Sequence, residues 1–514
     1  MSETNPVRKE AGILIMSVFI AGLCSIVYEL LISTTTSYFL GDSIKQFSIT
    51  IGLYMAAMGI GAYVSRGVKG ALLPTFVIVE IALGFLGGIC IPILYLTYAA
   101  AADSYYFVMV LLVLCIGILI GLEVPLLTRI MERYYTLKVN ISNVLSLDYF
   151  GALVATLLFP FVIMPFVGLF RSSLVFGLVN MIIGYMVLWG FRKGFSPRLY
   201  RTFVVASVVA GLVLAALFVA SPALTGLWSK SLYSDQIIYE TQTPYQRLVL
   251  TRDRDDVRLF INGNLQFSTL DEYRYHESLV HTSLAGIRNS PRKVLVLGGG
   301  DGLVARELLK YESVDSVFVV DLDPKMTEIA RTNNWMRKVN RGSLEDPRVV
   351  VINTDAFNFV KRETGTFDFV IADLPDPSNV SLARLYSFEF YQMVHGRLAP
   401  GGIFVTQATS PFFASRAFWS IVATLESSAF EHVVPYHAYV PSFGDWGFVA
   451  ASDTEFVGVK TRIEVPTRYL SPEIVACSFQ FAPDLRQDRH LATASTMDNP
   501  EVLSAYLKGW RYWK

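Results

Sequence analysis

Between residues 11 and 222 the chain contains long runs almost free of charge, of roughly 20 apolar residues each, the length that crosses a bilayer as a helix. Seven such runs are legible, near residues 11–32, 44–65, 72–97, 105–127, 144–165, 170–190 and 200–221. Pro160, Pro165 and Gly168 crowd the junction of the fifth and sixth, where two spans and a tight turn are expected. The rest of the 514 residues carries charge at ordinary globular density, so a composition boundary falls between Ser221 and Tyr239. A membrane domain over 1–222 and a soluble part after it is the first expectation.

The charges at the ends of these runs alternate. Arg8 and Lys9, Arg66 and Lys69, Arg129, Arg133 and Lys138, and Arg192, Lys193, Arg198 and Arg201 fall on one side, against Lys45 and Arg171 on the other. The positive-inside rule then makes the N-terminus cytoplasmic, and seven spans carry the following domain to the far side. The first run is of spanning length and lacks a small-residue cleavage site, so a cleavable signal is not expected. Glu29, Glu80, Glu123 and Asp148 interrupt the apolar runs. Intramembrane carboxylates are costly, which makes them candidates for holding a cation; the competing reading pairs each with a neighbour near the interface, such as Arg129. Gly117 with Gly121, and Gly84 with Gly88, fit close helix packing. A formal net charge of zero and the lack of a Lys/Arg run give no reason to propose nucleic acid, and the four cysteines form neither a disulfide framework nor a zinc set.

In the soluble part, IIYETQTPYQRLVLTR and VRLFINGNLQFS alternate like short strands, with Asn262 and Gly263 as a hairpin turn, so a small antiparallel β domain is expected over 223–290. DEYRYHESLVHTSL places His276, Leu279 and Val280 on a helix. From 291 to 514 an α/β Rossmann-like domain is expected. Val294 to Asp323 reads as strand, glycine-rich turn, helix and strand: four apolar residues enter Gly298, Gly299, Gly300, Asp301 and Gly302, and a second strand ends at Asp321. Glycines there let the backbone approach a ligand, and an acid about 20 residues on can bond a ribose diol. Strands at Val349 to Ile352, Phe367 to Ala372 and Gly402 to Thr406 follow. Parallel strands gather ligands at their carboxyl ends, so Asp301, Asp321, Asp355 and Asp373 converge on one crevice. Asp373 and Asp376, in DLPDPSN, form a carboxylate pair suited to holding and deprotonating a cationic amine; a capped turn explains the same residues without chemistry.

In order, PYQRL, LFINGNLQ with DEYRYHE, LGGGDG, VVDLD, NTDAF, DLPDP and VPSFGDWGF resemble the polyamine aminopropyltransferases, or spermidine synthases, over about Tyr239 to Tyr469. The membrane half resembles what precedes this domain in multi-span members. The resemblance implies a methyltransferase-type fold and transfer of an aminopropyl group from decarboxylated S-adenosylmethionine, a co-substrate, to a diamine such as putrescine. Spermidine and methylthioadenosine are the products, with no permanently bound cofactor and no metal. It implies that Gln246, Asp321, Asp355 and Ala356, with Gly298 and Gly300 in the turn, contact the nucleoside. His276, Asp301 and Asp376 would hold amine groups, and Asp373 would accept the proton. It also implies a homodimer and a multi-pass protein of the cell membrane, in contact with lipid. A nucleoside co-substrate belongs to the cytoplasm, which conflicts with the far-side placement from charge, so the side of the soluble domain stays open. Three features depart from the family pattern: Ser378, Asn379 and Val380 replace a Gly-Pro stretch, Phe443 replaces a tyrosine, and Asp321 replaces a glutamate. The alternatives are a methyltransferase using intact S-adenosylmethionine on a small or lipid-borne acceptor, and a polyamine-binding sensor or transporter.

Overall fold

In the computed structural model, which describes residues 6–40, 43–285, 290–455 and 463–511, the chain forms two compact units, Met1–Ser234 and Asp235–Lys514. The first unit is a bundle of α1 (Pro6–Leu40), α2 (Ser43–Ser65), α3 (Leu72–Ala100), α4 (Tyr105–Met131), α5 (Leu137–Leu158), α6 (Leu169–Gly190) and α7 (Pro197–Leu232). Among the described residues, seven helical stretches are long and apolar enough to cross a membrane. α5 runs on as a π-helical stretch, Phe159–Val167, that carries Pro165 and ends at Gly168, whose φ of 78° makes the turn into α6. The π stretch is where the prolines break the regular hydrogen-bond ladder. α7 continues through Pro222 to Leu232, so the division falls at Ser234/Asp235 rather than at 222/223. The composition shift after Ser221 marks a change of polarity within a helix that does not stop there.

Small residues set the helix spacing. A Cβ on Gly117 would lie 2.6 Å from the Ala57 Cβ, and one on Gly121 would strike the Met58 carbonyl, so α4 packs backbone against backbone on α2. Gly84 and Gly177 do the same for α3 and α6. The cationic ends lie together: Tyr134 donates to Glu10 (2.7 Å), Lys9 sits 4.3 Å from the Trp189 ring centre, and Arg129 donates to the Ser65 and Val68 carbonyls. At the other end Trp228 of α7 packs on Phe39 and Tyr95. Glu80 and Glu123 are buried in the bundle beside one another, and neither Glu80 oxygen has a hydrogen-bond donor among the described residues. The expected pairing with Arg129 is not what the structure shows, because Arg129 caps the carbonyls at the end of α2.

The second unit opens with a four-stranded antiparallel sheet in the order β1 (Gln236–Gln242), β2 (Arg247–Asp253), β3 (Asp256–Ile261), β4 (Asn264–Ser268). Asn262 and Gly263 both have positive φ, the conformation that a two-residue hairpin turn requires. A short helix, α8 (Glu272–Glu277), follows and relaxes into a π turn over Ser278–Thr282. The main sheet contains β5 (Lys293–Gly298), β6 (Ser316–Asp321), β7 (Val349–Asn353), β8 (Phe367–Asp373), β9 (Leu398–Gln407), β10 (His432–Val440) and β11 (Gly444–Ser452), ordered β10-β11-β9-β8-β5-β6-β7. β5 to β9 are parallel, and β11 and β10 close one edge antiparallel. Val294 to Leu297 are fully buried, as expected of a central strand covered on both faces. The small sheet has no separate interior: Leu248, Leu250 and Phe267 belong to the same apolar cluster as Leu279, Val294 and Val317.

The register aligns the strand ends. Gly298 pairs with Asp373 and Asp321 with Asn353, so the acids that end β6 and β8 flank the turn that leaves β5. Glu277, at the end of α8, is buried and accepts the backbone N–H groups of Arg468, Tyr469 and Leu470 at 2.7, 2.8 and 3.1 Å, tying α8 to the segment after β11. Glu277→Ala strands three N–H groups and is expected to cost about 3 kcal/mol, read as a lowered melting temperature. Glu277→Gln keeps an acceptor and is expected to cost less.

Candidate active site

The glycine turn is wedged between two acids. A Cβ on Gly298 would strike the Asp373 carbonyl, and one on Gly300 would strike the Asp321 carboxylate. Instead, the Gly299 N–H donates to the Asp373 carbonyl at 3.2 Å and the Gly300 N–H to Asp321 Oδ2 at 3.0 Å. Gly298, Gly299 and Gly302 all have positive φ, which a side chain would resist. Asp321 takes a second backbone donor, the Asp323 N–H at 2.9 Å. Burial pushes its pKa up to about 6, against the two N–H groups that favour the anion.

Asp301 accepts from the Leu303 N–H at 2.9 Å, at the start of α9 (Leu303–Leu308). His276 on α8 comes to the same place: His276, Asp301 and Asp373 each bring one polar atom within 4.8 Å of the others. The His276 Nδ1 is engaged by Glu272, at 2.8 Å from its carbonyl and 2.9 Å from Oε2. Glu272 is also gripped by Arg306 of α9, at 2.7 and 2.8 Å. Burial disfavours a charged imidazole, but the Glu272 hydrogen bond and charge overcome it and raise His276 to about 9. The group is therefore two carboxylates around an imidazole whose raised pKa favours the protonated ring. Burial raises Asp301 to about 6 and the neighbouring imidazolium restrains the rise; Asp373 is raised by burial in the same way.

Asp373 ends β8 and accepts the Tyr275 hydroxyl on Oδ1 at 2.8 Å, while Oδ2 lies beside Gly299. Three residues on, Asp376 is held on the irregular DLPDP loop. Gln407 at the end of β9 donates to its Oδ1 at 3.2 Å and Thr409 to its Oδ2 at 3.4 Å. Burial raises Asp376 to about 6 against these donors. Gln407 also donates to the Leu374 carbonyl at 2.8 Å, and Tyr386 donates to the Pro375 carbonyl at 3.0 Å, so the loop is fixed from beneath.

The structure brings His276, Asp301, Asp321, Asp373 and Asp376 to one strand-end crevice. Gln246, between β1 and β2, reaches Asp323 rather than Asp321: its Nε2 donates to Asp323 Oδ2 at 3.0 Å, beside Thr243 at 2.9 Å. Asp355 caps the helix Ala356–Arg362 through the Asn358 N–H and pairs with Arg384. Ala356 is the first residue of that helix and is buried. Tyr275, Asp323 and Gln407 support these residues without being among the expected ones: Tyr275 and Asp323 lie within DEYRYHE and VVDLD, and Gln407 carries no local signal.

A spermine/spermidine synthase domain is matched over residues 272–460. Polyamine aminopropyltransferase 1 of Ralstonia nicotianae is 43% identical over 510 residues, covering 98% of this chain and 96% of that protein. The polyamine aminopropyltransferase of Leptospira interrogans is 40% identical over 500 residues, covering 97% and 98%. A spermidine synthase solved in complex with the transition-state analogue AdoDATO is similar to half of this chain and 89% of its own, at 26% identity and a TM-score of 0.46.

The charge of His276 depends on Glu272. Glu272→Gln is expected to lower the imidazole pKa from about 9 to near or below 6.5, followed by NMR titration of the ring. The stability that the protonated ring contributes is present below pH 6.5 and lost as pH rises through about 9, so the unchanged protein is expected to lose its advantage over the variant across that window.

Proposed function

The chain belongs to the polyamine aminopropyltransferase family, and we propose that Asp373 is the base with which it carries out the family's reaction. The enzyme transfers an aminopropyl group from decarboxylated S-adenosylmethionine to a diamine such as putrescine, giving spermidine and methylthioadenosine. The observation that supports the assignment of roles is the set of buried acids at adjoining strand ends, with a single imidazolium among them.

The acceptor nitrogen attacks the propyl carbon next to the sulfonium. A C–N bond forms, the C–S bond breaks, and sulfur keeps the electron pair as the neutral thioether leaves. The amine must be neutral when it attacks, and the new secondary ammonium must lose a proton. Asp373 is suited to both: Tyr275 occupies Oδ1 and leaves Oδ2 to accept. Raised by burial, it is a better base than an exposed carboxylate. Asp376 binds the far ammonium of the diamine. Asp301 with His276 positions the amine of the aminopropyl group, and an acid there selects a co-substrate that has lost its carboxylate over intact S-adenosylmethionine. Asp321 takes the ribose diol. Asp355 and Ala356 border the adenine, with Gln246 framing the pocket through Asp323. The sulfonium is already a good leaving group, so orientation and proton removal account for the catalysis.

We read α1–α7 as a multi-pass anchor in the cell membrane. Large apolar side chains point outward along the helices, Met55, Phe161, Leu212 and Val219 among them, which suits a lipid environment. A homodimer is the assembly that the family resemblance favours.

Asp373→Asn is expected to lower kcat by about 10²- to 10⁴-fold with little change in the KM for decarboxylated S-adenosylmethionine, measured as methylthioadenosine release. Full activity in that variant would sink the assignment of the base. In the unchanged enzyme, kcat/KM for putrescine is expected to fall as pH drops through about 6, because Asp376 then becomes neutral and no longer attracts an ammonium. Asp376→Asn is expected to weaken that acidic limb and raise the amine KM.

A further inference from the structure

The stretch after the DLPDP loop turns back toward the nucleoside side of the crevice. Asn379 opens a short helical turn, accepting the Leu382 N–H on its side chain at 3.0 Å and the Ala383 N–H on its carbonyl at 2.8 Å. The turn that follows, Arg384–Tyr386, is pinned at its far end, where Gln407 donates to the Tyr386 hydroxyl and Tyr386 donates to the Pro375 carbonyl at 3.0 Å. Ser387 returns its hydroxyl to the Arg384 carbonyl at 2.8 Å. The Arg384 side chain therefore leaves a fixed backbone, and it is fixed in turn. Its Nε donates to the Ser381 carbonyl at 3.1 Å, its Nη2 donates to Asp355 Oδ2, and its guanidinium lies 5.3 Å from the centre of the Phe357 ring. Asp355 meets it from just beyond β7, with Oδ1 already occupied by the Asn358 N–H at 2.9 Å.

We propose that Arg384 is a positioning residue for the nucleoside: by holding Asp355 Oδ2 it aims the carboxylate at the amino edge of adenine, and so governs selection of an amino-bearing base. A helix cap fixes only one carboxylate oxygen and leaves the other free to swing about the capping bond. The guanidinium removes that freedom. A carboxylate oxygen has two lone pairs, so Oδ2 can accept from Arg384 and still accept an N–H from a ligand. The 6-amino group of adenine is such a donor, whereas a base with oxygen in its place presents lone pairs to the lone pairs of Asp355 and is rejected. A part-exposed ion pair contributes little to stability by itself. One guanidinium held by the Ser381 carbonyl, Asp355 and the Phe357 ring at once has instead a defined direction, which a flexible surface pair lacks. This inference rests on the reading that Asp355 borders the adenine.

Arg384→Ala removes the guanidinium and leaves the helix cap. In the full-length chain, held in detergent micelles, it is expected to raise the KM for decarboxylated S-adenosylmethionine and the inhibition constant of methylthioadenosine roughly tenfold each, with the putrescine KM and the melting temperature unchanged. Arg384→Lys keeps the charge without the fork and is expected to recover part of the loss. The unchanged enzyme is expected to bind methylthioadenosine more tightly than methylthioinosine, which carries oxygen in place of the amino group, and Arg384→Ala is expected to narrow that ratio. In an Asp355→Asn background Arg384→Ala is expected to add nothing, because Arg384 acts through Asp355. If Asp355→Asn weakens nucleoside binding and Arg384→Ala does not, the proposal fails while the role of Asp355 stands. Equal weakening of both nucleosides, or a matching rise in the putrescine KM with a lowered melting temperature, would make the pair merely structural and also overturn it. If Asp355→Asn leaves nucleoside binding unchanged, the underlying reading of Asp355 falls and the proposal falls with it.

Discussion

The Glu272 carboxylate, shared between Arg306 and His276, is the interaction on which the rest of the catalytic unit depends. Four buried acids in one crevice pay a desolvation cost, and for two of them, Asp301 and Asp373, the charge on the neighbouring imidazole works against the rise that burial imposes. His276 carries that charge only because Glu272 maintains it, and Glu272 stays ionised in the interior because Arg306 holds it with two hydrogen bonds. The chain of charge runs from α9, which begins at the glycine turn, through α8 and back to Asp301 and Asp373. Arg306 and the glycine turn are joined by one short helix, so turn geometry and crevice charge are set together.

Much of this was legible from spacing. Alternation between apolar strands and turn residues placed Asp301, Asp321 and Asp373 at neighbouring strand ends, since a parallel sheet has few other ways to arrange them. The fixed two-residue separation placed Asp376 beside Asp373. Partnerships between distant segments were not legible. Gln246 lies on the loop between β1 and β2, and nothing in PYQRL distinguishes a bond to Asp323 from one to Asp321, two residues away. Asp355 reads equally as a helix cap and as a ligand; the structure shows the cap through one oxygen and, through the other, a pair with Arg384, 29 residues downstream. The membrane half shows the same division. Hydropathy located the seven helices, but the depth of Glu80 and Glu123 depends on which helix faces which, and that is decided by glycine contacts such as Gly61 on the Ile118 carbonyl. A carboxyl one turn from an apparent helix end lies inside the bundle when its neighbours extend further.

The departures from the family pattern have physical counterparts. Asn379 caps a new helical turn, accepting the Leu382 N–H at 3.0 Å, and this turn leads through Arg384 to Tyr386. Arg384 then reaches Asp355, and Tyr386 supports the Leu374 and Pro375 carbonyls. Through these side chains the stretch organises two acid positions, Asp355 and the loop that carries Asp376. Phe443 lies edge-on to Tyr275 at 6.1 Å and 85°, and 5.1 Å from Trp446. The ring without a hydroxyl acts on the ring that has one: confined by Phe443 and by Phe448 at 5.3 Å, Tyr275 is limited to the orientation that delivers its proton to Asp373. Asp321 is shorter than glutamate, and its two oxygens are already aligned by the Gly300 and Asp323 N–H groups. Gly300 is what admits this contact, since a Cβ there would lie 2.3 Å from Asp321 Oδ2.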